Sequence, residues 1–451
     1  MEALIFVPGI MGTELIASNG DKLWPPTPEE TIFGYRRVNE LLKEDVQHGD
    51  IIQTVSCFDV YAPLFDQFNA LGFVPNGEKM RRYPFPYDWR QDLDLTAKKL
   101  AGLLERVDQA GASALHLVAH SMGGLISRLV LETEIYAPES LRKKVTTFIA
   151  LATPHQGAPL ALARALGLDS ALGISASDFR KIANDRRYPA GYQLLPAPNE
   201  AACWDKRDLA VGVIDIYDKD KAERLGLNLE LLDRARFVQD SLAKGAPPED
   251  TRYFYFAGTG HETVTRINVS EVNGVFPIEQ MVVTRTEDAG DGTVPFWSAL
   301  PRAVQKQVVV NEHSKVFNGM PFKRVFYRLL GGDLGVPLES LAREEEAPSI
   351  RLSLATPVIQ LGRAFEILVV PGAPVPEITG SLTLQKLDDK GQPEAGRPAE
   401  QISALTYKGP RVSRLRLLSP AIGTRGFYEI VFRGQPANSD PLRFAVVSFR
   451  P

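Results

Sequence analysis

The chain has 451 residues, 44% of them hydrophobic and 24% charged, with a formal net charge of −4. These are globular values, and the length predicts two domains with a core that needs no staples. The slight acidity argues against a nucleic-acid binder, and no run approaches eighteen apolar residues, so no membrane-spanning helix is expected.

The amino terminus MEALIFVPG carries Glu2, lacks a basic stretch and meets Pro8 after five apolar residues. It reads as a first strand and not as a signal peptide. Ala3 to Val7 suits a buried parallel strand, and the loop Pro8-Gly9-Ile10-Met11-Gly12 follows it. Residues 16–50 show little regular pattern around Trp24-Pro25-Pro26-Thr27-Pro28 and read as a lid or binding loop. A strand is expected at 51–57, an amphipathic helix at 61–71 and a short strand at 80–83. The aromatic turn Phe85-Pro86-Tyr87-Asp88-Trp89-Arg90 comes next, then a second amphipathic helix at 93–107.

Residues 115–125 then read strand, sharp turn, helix. Leu115, Leu117 and Val118 make the strand, and His120-Ser121-Met122-Gly123-Gly124 turns. A serine on such a turn presents its hydroxyl above the sheet. Ala119 stands where the Gly-x-Ser-x-Gly pattern has its first glycine. A strand follows at 145–151, and residues 156–250 read as a helical cap without obvious sheet strands. Strands are expected at 253–257, at 281–284 and at 308–310. Gly290-Asp291-Gly292-Thr293-Val294-Pro295 places an acid in a tight turn, Asn311-Glu312-His313 ends the last short strand, and a helix at 316–330 closes the unit. The alternation predicts an α/β fold, a parallel sheet with helices on both faces, over residues 1–335.

Residues 336–348 look like a linker. Beyond it, about seven short strands separated by Gly, Pro, Asn and Asp predict an immunoglobulin-like β-sandwich over 349–451, with Gly426-Phe427-Tyr428 as a candidate tyrosine corner. Residues 347–451 hold 13 Lys and Arg against 8 Asp and Glu, whereas the rest nets −9. Opposite signs predict docking of the sandwich on the first domain, or a basic surface for an outside protein partner or lipid surface. The sandwich has no histidine and no cysteine, so a recognition or stabilising module is expected there. Cys57 and Cys203 lie far apart and read as buried fillers, a usage that suits a reducing compartment. The expected location is therefore the cytoplasm, with peripheral membrane contact.

Ser121, Asp291 and His313 occur in the chain order of an α/β-hydrolase triad, each in a loop after an expected strand. His313 would accept the Ser121 proton and Asp291 would orient the imidazole. The N–H groups of Ile10 and Met122 are the candidate oxyanion donors. Of six histidines, His155 and His261 are the rivals for the base. His120 is expected to pack or orient the turn, His116 lies inside a strand and His48 in the irregular segment. Met11, Trp24, Trp89 and His155 are candidate substrate-facing or lid residues.

The runs VPGIMGTEL at 7–15, FPYDWR at 85–90, AHSMGG at 119–124, ATPHQGAP at 152–159, YQLLP at 192–196 and GDGTVP at 290–295 resemble the lecithin:cholesterol acyltransferase family of α/β-hydrolases. The resemblance covers residues 1 to 330. It implies Ser121 as nucleophile, Asp291 as acid, His313 as base, Ile10 and Met122 as oxyanion donors, and no metal or cofactor. It implies glycerophospholipid esters as substrates, with hydrolysis or acyl transfer to an alcohol. Secreted members close a membrane-binding loop with a disulfide, for which Cys57 has no nearby partner. The domain at 349–451 lies outside the family pattern. The leading expectation is a serine esterase for lipid acyl esters. The alternatives are a soluble carboxylesterase or thioesterase for small acyl groups, or a catalytically silent hydrolase-fold binding protein.

Overall fold

In the computed structural model, residues 1–55, 58–207, 212–300, 305–332, 349–354, 358–372, 374–388 and 391–448 are described. Cys57 and the expected linker at 336–348 lie outside the described residues.

Ala3 to Val7 are all buried. A strand covered on both faces belongs inside a parallel sheet, and β1 (Glu2–Val7) takes that place. The chain continues through a short helix α1 (Pro28–Phe33), then α2 (Ala62–Ala70), β2 (Met80–Pro84), α3 (Leu93–Gln109), β3 (Ala114–His120), α4 (Met122–Glu132) and β4 (Val145–Leu151). The cap holds α5 (Pro159–Leu166), α6 (Ala176–Ala183) and α7 (Leu229–Lys244). After β5 (Arg252–Thr259) come an antiparallel pair, β6 (His261–Val269) and β7 (Val282–Gly290), then β8 (Gln305–Val310) and α8 (Met320–Leu329).

Six strands pair in the order β2-β1-β3-β4-β5-β8, all parallel. The period of two sorts the side chains of β1. Ala3, Ile5 and Val7 join the core that holds Leu100 of α3 and Leu125 of α4. Leu4 and Phe6 join the one that holds Phe68 of α2 and Phe322 of α8. The Phe6 ring meets Tyr61, Phe65 and Phe68 at 5.0, 5.5 and 5.7 Å between centroids. Full burial of one such side chain contributes ~1.5–3 kcal/mol. Val7 pairs with Ala119, Ala119 with Ala150, and Thr259 with Val310, so the carboxyl ends of these strands finish along one edge.

Three expectations are corrected. The strand at 51–57 does not join the core sheet: Gln47–Ile51 pairs with Thr13–Ile16, and Thr54–Val55 with Phe58–Asp59. Gln53 and Thr54 interrupt the apolar run, and a central parallel strand has no face on which to leave them wet. The Gln53 carbonyl instead accepts from the N–H groups of Val60, Tyr61 and Ala62 at the start of α2. Residues 16–50 are more regular than expected, because α1 opens with a capping box: Thr27 Oγ1 accepts from Glu30 N and the Glu30 carboxylate from Thr27 N. The strand at 281–284 is part of β7, which lies with β6 and Cys203–Asp205 in a separate sheet. Cys203 is buried there, and burial pushes its thiol up to about 12.

The second domain packs two sheets. Strands β9 (Ile350–Ser353), β10 (Val358–Gln360), β11 (Phe365–Pro371), β12 (Val375–Leu387), β13 (Glu400–Val412), β14 (Leu415–Ser419), β15 (Gly426–Gln435) and β16 (Leu442–Val447) give the orders β9-β11-β14 and β10-β16-β15-β12-β13. The Tyr428 hydroxyl donates to the Thr424 carbonyl at 2.9 Å, the bond expected of a tyrosine corner. The basic excess is spent partly within the chain. Arg414 pairs with Asp288 at 2.9 Å and Arg416 with Glu287, while Arg351 donates to the Val310 carbonyl and to Asn311 Oδ1. Exposed ion pairs of this kind are screened by solvent and stabilise little, so they orient the docked sandwich more than they hold it.

Candidate active site

The elbow is built by close approach. Ser121 sits at φ 52°, ψ −125°, between β3 and α4. A side chain on Gly123 would put its Cβ 2.4 Å from the Val7 carbonyl oxygen, so only glycine lets α4 start this close to β1. Gly258 does the same on β5, where a Cβ would meet Asp291 Cβ and the Asn311 carbonyl oxygen at 2.6 Å. That position brings the acid turn and the end of β8 together, and sequence reading missed it. A glycine in a strand facing two converging loops is the signal that was available.

Three side chains from those loops meet at the sheet edge. His313 Nε2 lies 2.9 Å from Ser121 Oγ, and His313 Nδ1 lies 2.8 Å from Asp291 Oδ2. Asp291 is buried, and its Oδ1 accepts from the N–H groups of Thr293 at 3.0 Å and Val294 at 2.7 Å. The His313 N–H donates to the Asp291 carbonyl, which ties the two loops along the backbone. This order of contacts can remove the Ser121 proton and hold the imidazole in the required tautomer.

A second chain of hydrogen bonds supports the first, and its tautomers follow from chemistry. The His313 carbonyl can only accept, so His120 Nε2, 3.0 Å away, carries the proton. His120 Nδ1 then accepts from the Tyr61 hydroxyl at 2.8 Å, and Tyr61 Oη accepts from the Gly9 N–H at 2.9 Å. Burial, together with the charge of His313, pushes His120 down to about 3, so it stays neutral. The expected orienting role of His120 is what this geometry supports. Tyr61 went unnoticed because it opens α2, sixty residues from the elbow.

The loop that carries Ile10 is pinned from below. The Tyr87 hydroxyl donates to the Pro8 carbonyl at 2.8 Å, and the Trp24 indole N–H to the Met11 carbonyl at 2.8 Å. The Trp89 indole N–H donates to the Thr13 carbonyl at 3.2 Å. Arg90 is buried beside Asp88, with contacts of 2.8 and 2.6 Å, and donates to the carbonyls of Leu41, Lys43 and Val46. The FPYDWR run is thus an anchor for two loops. Arg90→Met is expected to lower the unfolding free energy by about 3–5 kcal/mol, since it leaves the buried Asp88 charge without its cation and those carbonyls without the guanidinium donors. Urea denaturation checks this, and a loss below 1 kcal/mol would contradict the anchoring role.

A cavity of about 410 Å³ opens onto Ser121 and His313. Ile10, Met11, Trp24 and Trp89 line it, as does Leu160 of the cap. Met122 is the first residue of α4, whose leading N–H groups have no partner within the helix. His155 is a correction: it does not line the cavity. Its N–H donates to the carbonyls of Thr153 and Ser298, its ring stacks on Tyr255 at 4.1 Å, and Arg128, paired with Glu132, faces its Nδ1. The rival base His261 pairs with Gly290 at the start of β6 and is also absent from the cavity wall.

Burial holds both His120 and His155 below the ordinary histidine value. In the unfolded chain they protonate near 6.5, so as pH falls below that value the unfolded state binds more protons, for His120 down to about pH 3. Stability contributed by the neutral rings is therefore present above pH 6.5 and lost as pH falls. The expected slope is about 1 kcal/mol per pH unit per histidine in the middle of that window. Urea midpoints from pH 7 to 5 measure it, and His155→Gln should reduce the slope by one proton.

A family model described as Lecithin:cholesterol acyltransferase matches residues 44–222. The Arabidopsis thaliana protein Phospholipase A(1) LCAT3 is 25% identical over 262 residues, 48% of this chain. The chain spans 58% of that relative's length. A stretch of 50 residues, 11% of this chain and 8% of the other, is 44% identical to the Saccharomyces cerevisiae uncharacterized protein YJR098C. Among solved structures, Bacillus licheniformis lipase BlEst2 in mature form aligns at 15% identity with a TM-score of 0.37, over 73% of this chain and 91% of its own. With the elbow and the six-stranded parallel sheet, the chain has the α/β-hydrolase fold, and over residues 44–222 it is similar to the lecithin:cholesterol acyltransferase family.

Proposed function

We propose that this chain is a serine esterase acting on lipid acyl esters, by phospholipase A-like hydrolysis or acyl transfer. The observation that carries the reading is the hydrogen-bonded line Ser121–His313–Asp291 opening onto an apolar cavity. The family and the Arabidopsis relative, named as a phospholipase A(1), support a lipid ester as substrate.

In this reading His313 takes the Ser121 proton as Oγ attacks the acyl carbonyl carbon. The carbonyl oxygen becomes an oxyanion, received by the N–H groups of Ile10 and Met122. Collapse expels the alcohol of the lipid, which leaves with the proton from His313. Water or an acceptor alcohol then gives its proton to His313 and attacks the acyl carbon; the acyl–Oγ bond breaks, His313 returns the proton to Ser121 Oγ, and fatty acid or a new ester leaves. Asp291 stays ionised and stabilises the imidazolium. Peripheral contact with a lipid surface in the cytoplasm belongs to the proposal; Phe33 of α1, 49% exposed, and Leu172 at the cavity, 41% exposed, supply apolar surface for it. Among the described residues no helix is long and apolar enough to cross a membrane.

The test is release of fatty acid from labelled phospholipid vesicles, diacylglycerol and monomeric short-chain esters, with Ser121→Ala as the control. Turnover on vesicles well above that on the monomeric ester is the expected result. The reverse ranking would favour a soluble esterase for small acyl groups. No Ser121-dependent turnover on any ester would overturn the esterase reading.

A further inference from the structure

The outer face of a sandwich sheet normally meets water, with alternate side chains polar. On β15 and β16 it does not. Phe444 and Val446 point to the sandwich core with Ile430, whereas Phe427 and Ala445 belong to a separate buried cluster, at 3% and 1% exposure. The short helix α1 lies against β16, and the Arg425 guanidinium sits over the Phe33 ring at 5.1 Å. Thr31 of the same helix lines the cavity that holds Ser121 and His313. So do Val358, Phe427 and Ala445 of the sandwich.

We infer that the C-terminal sandwich completes the acyl-binding cavity and acts as its length gauge. Its β10–β16–β15 face is a wall against which an acyl chain esterified at Ser121 abuts, with α1 clamped between wall and cap. This inference rests on the esterase reading and assigns its chain-length selectivity to a domain outside the family's own segment. The wall is apolar at Val358, Phe427 and Ala445, which suits a saturated hydrocarbon tail; Arg443, the charged residue that the sandwich adds to the lining, is paired with Glu429 at 3.1 Å. A rigid wall discriminates by volume, and a single methylene in an apolar pocket changes kcat/KM by about 10- to 200-fold.

The experiment uses the full chain and a series of p-nitrophenyl esters from four to sixteen carbons. Ala445→Trp, which adds bulk to the wall, is expected to lower the long-to-short ratio of kcat/KM at least tenfold. Phe427→Ala, which enlarges the cavity, is expected to move the preferred length upward by two or more carbons. Ala404→Trp, exposed on β13 at the far edge of the same sheet, serves as the control and leaves the ratio unchanged. Competition of saturated fatty acids against a fluorescent fatty acid, on the Ser121→Ala protein, reads the same wall without turnover. Opposite shifts from the two wall variants in both assays support the gauge. Ser121-dependent turnover with an unmoved length profile in both variants overturns the gauge while leaving the esterase reading intact. Loss of folding in Ala445→Trp leaves Phe427→Ala and fatty-acid binding to decide.

Discussion

Ser121→Ala is expected to lower turnover on any ester substrate by about 10⁵- to 10⁶-fold, with the fold unchanged. The substitution removes one oxygen and keeps a β-carbon on a turn that already holds a non-glycine residue at positive φ. Nothing else in the elbow loses a partner except His313 Nε2, which is only partly buried. A serine nucleophile supplies a covalent step that no neighbouring group can replace, so what remains is the contribution of the oxyanion donors and of binding. The measurement is fatty-acid release by wild type and variant at equal concentration, with thermal melting alongside. Residual activity above about one part in a thousand would exclude Ser121 as nucleophile.

Asp291→Asn is expected to cost about 10⁴-fold in turnover with little change in substrate binding. The argument is one of proton placement. Asp291 Oδ1 is committed to the N–H groups of Thr293 and Val294, so an asparagine keeps its oxygen there and turns its NH₂ toward His313. His313 Nδ1 must then accept, which moves the ring proton to Nε2, facing Ser121 Oγ. A ring that donates to the serine cannot deprotonate it. Because two backbone N–H groups remain satisfied, the variant should fold. The check is kcat and KM on one soluble ester: kcat falls and KM stays within a few-fold. A variant retaining a tenth of the wild-type rate would show that His313 does not depend on Asp291.

The three candidate side chains could be picked out from the sequence because each is marked locally. Ser121 lies in a strand-turn-helix stretch with Gly123 and Gly124, Asp291 lies between two glycines, and His313 ends the last apolar run. Of six histidines, the choice of His313 over His155 rested on chain order. In the structure His313, not His155, lies within hydrogen-bond distance of Ser121 Oγ, because His155 faces inward between Tyr255 and Arg128. That inward turn depends on partners a hundred residues downstream, so no local pattern announces it. The strand expected at 51–57 failed for a related cause. A run of five or six residues rich in Ile and Val suits an edge hairpin as well as a core strand, and the sheet's own neighbours decide. Tyr61 and Gly258 escaped notice because their importance lies in contacts with Gly9, His120 and Asp291, all distant in sequence.

Sequence alone determined the fold class, the elbow, the order of the triad and the presence of a second, all-β domain, since these rest on periodicity, turn chemistry and short motifs. Only the tertiary structure decided which histidine reaches Ser121, how Tyr61 links the Ile10 loop to the base, and that Phe427 and Ala445 of the sandwich share a cavity with the nucleophile. The reason is physical: strand and turn preferences act over a few residues, whereas a hydrogen bond or a cavity wall needs side chains brought together from opposite ends of the chain by packing.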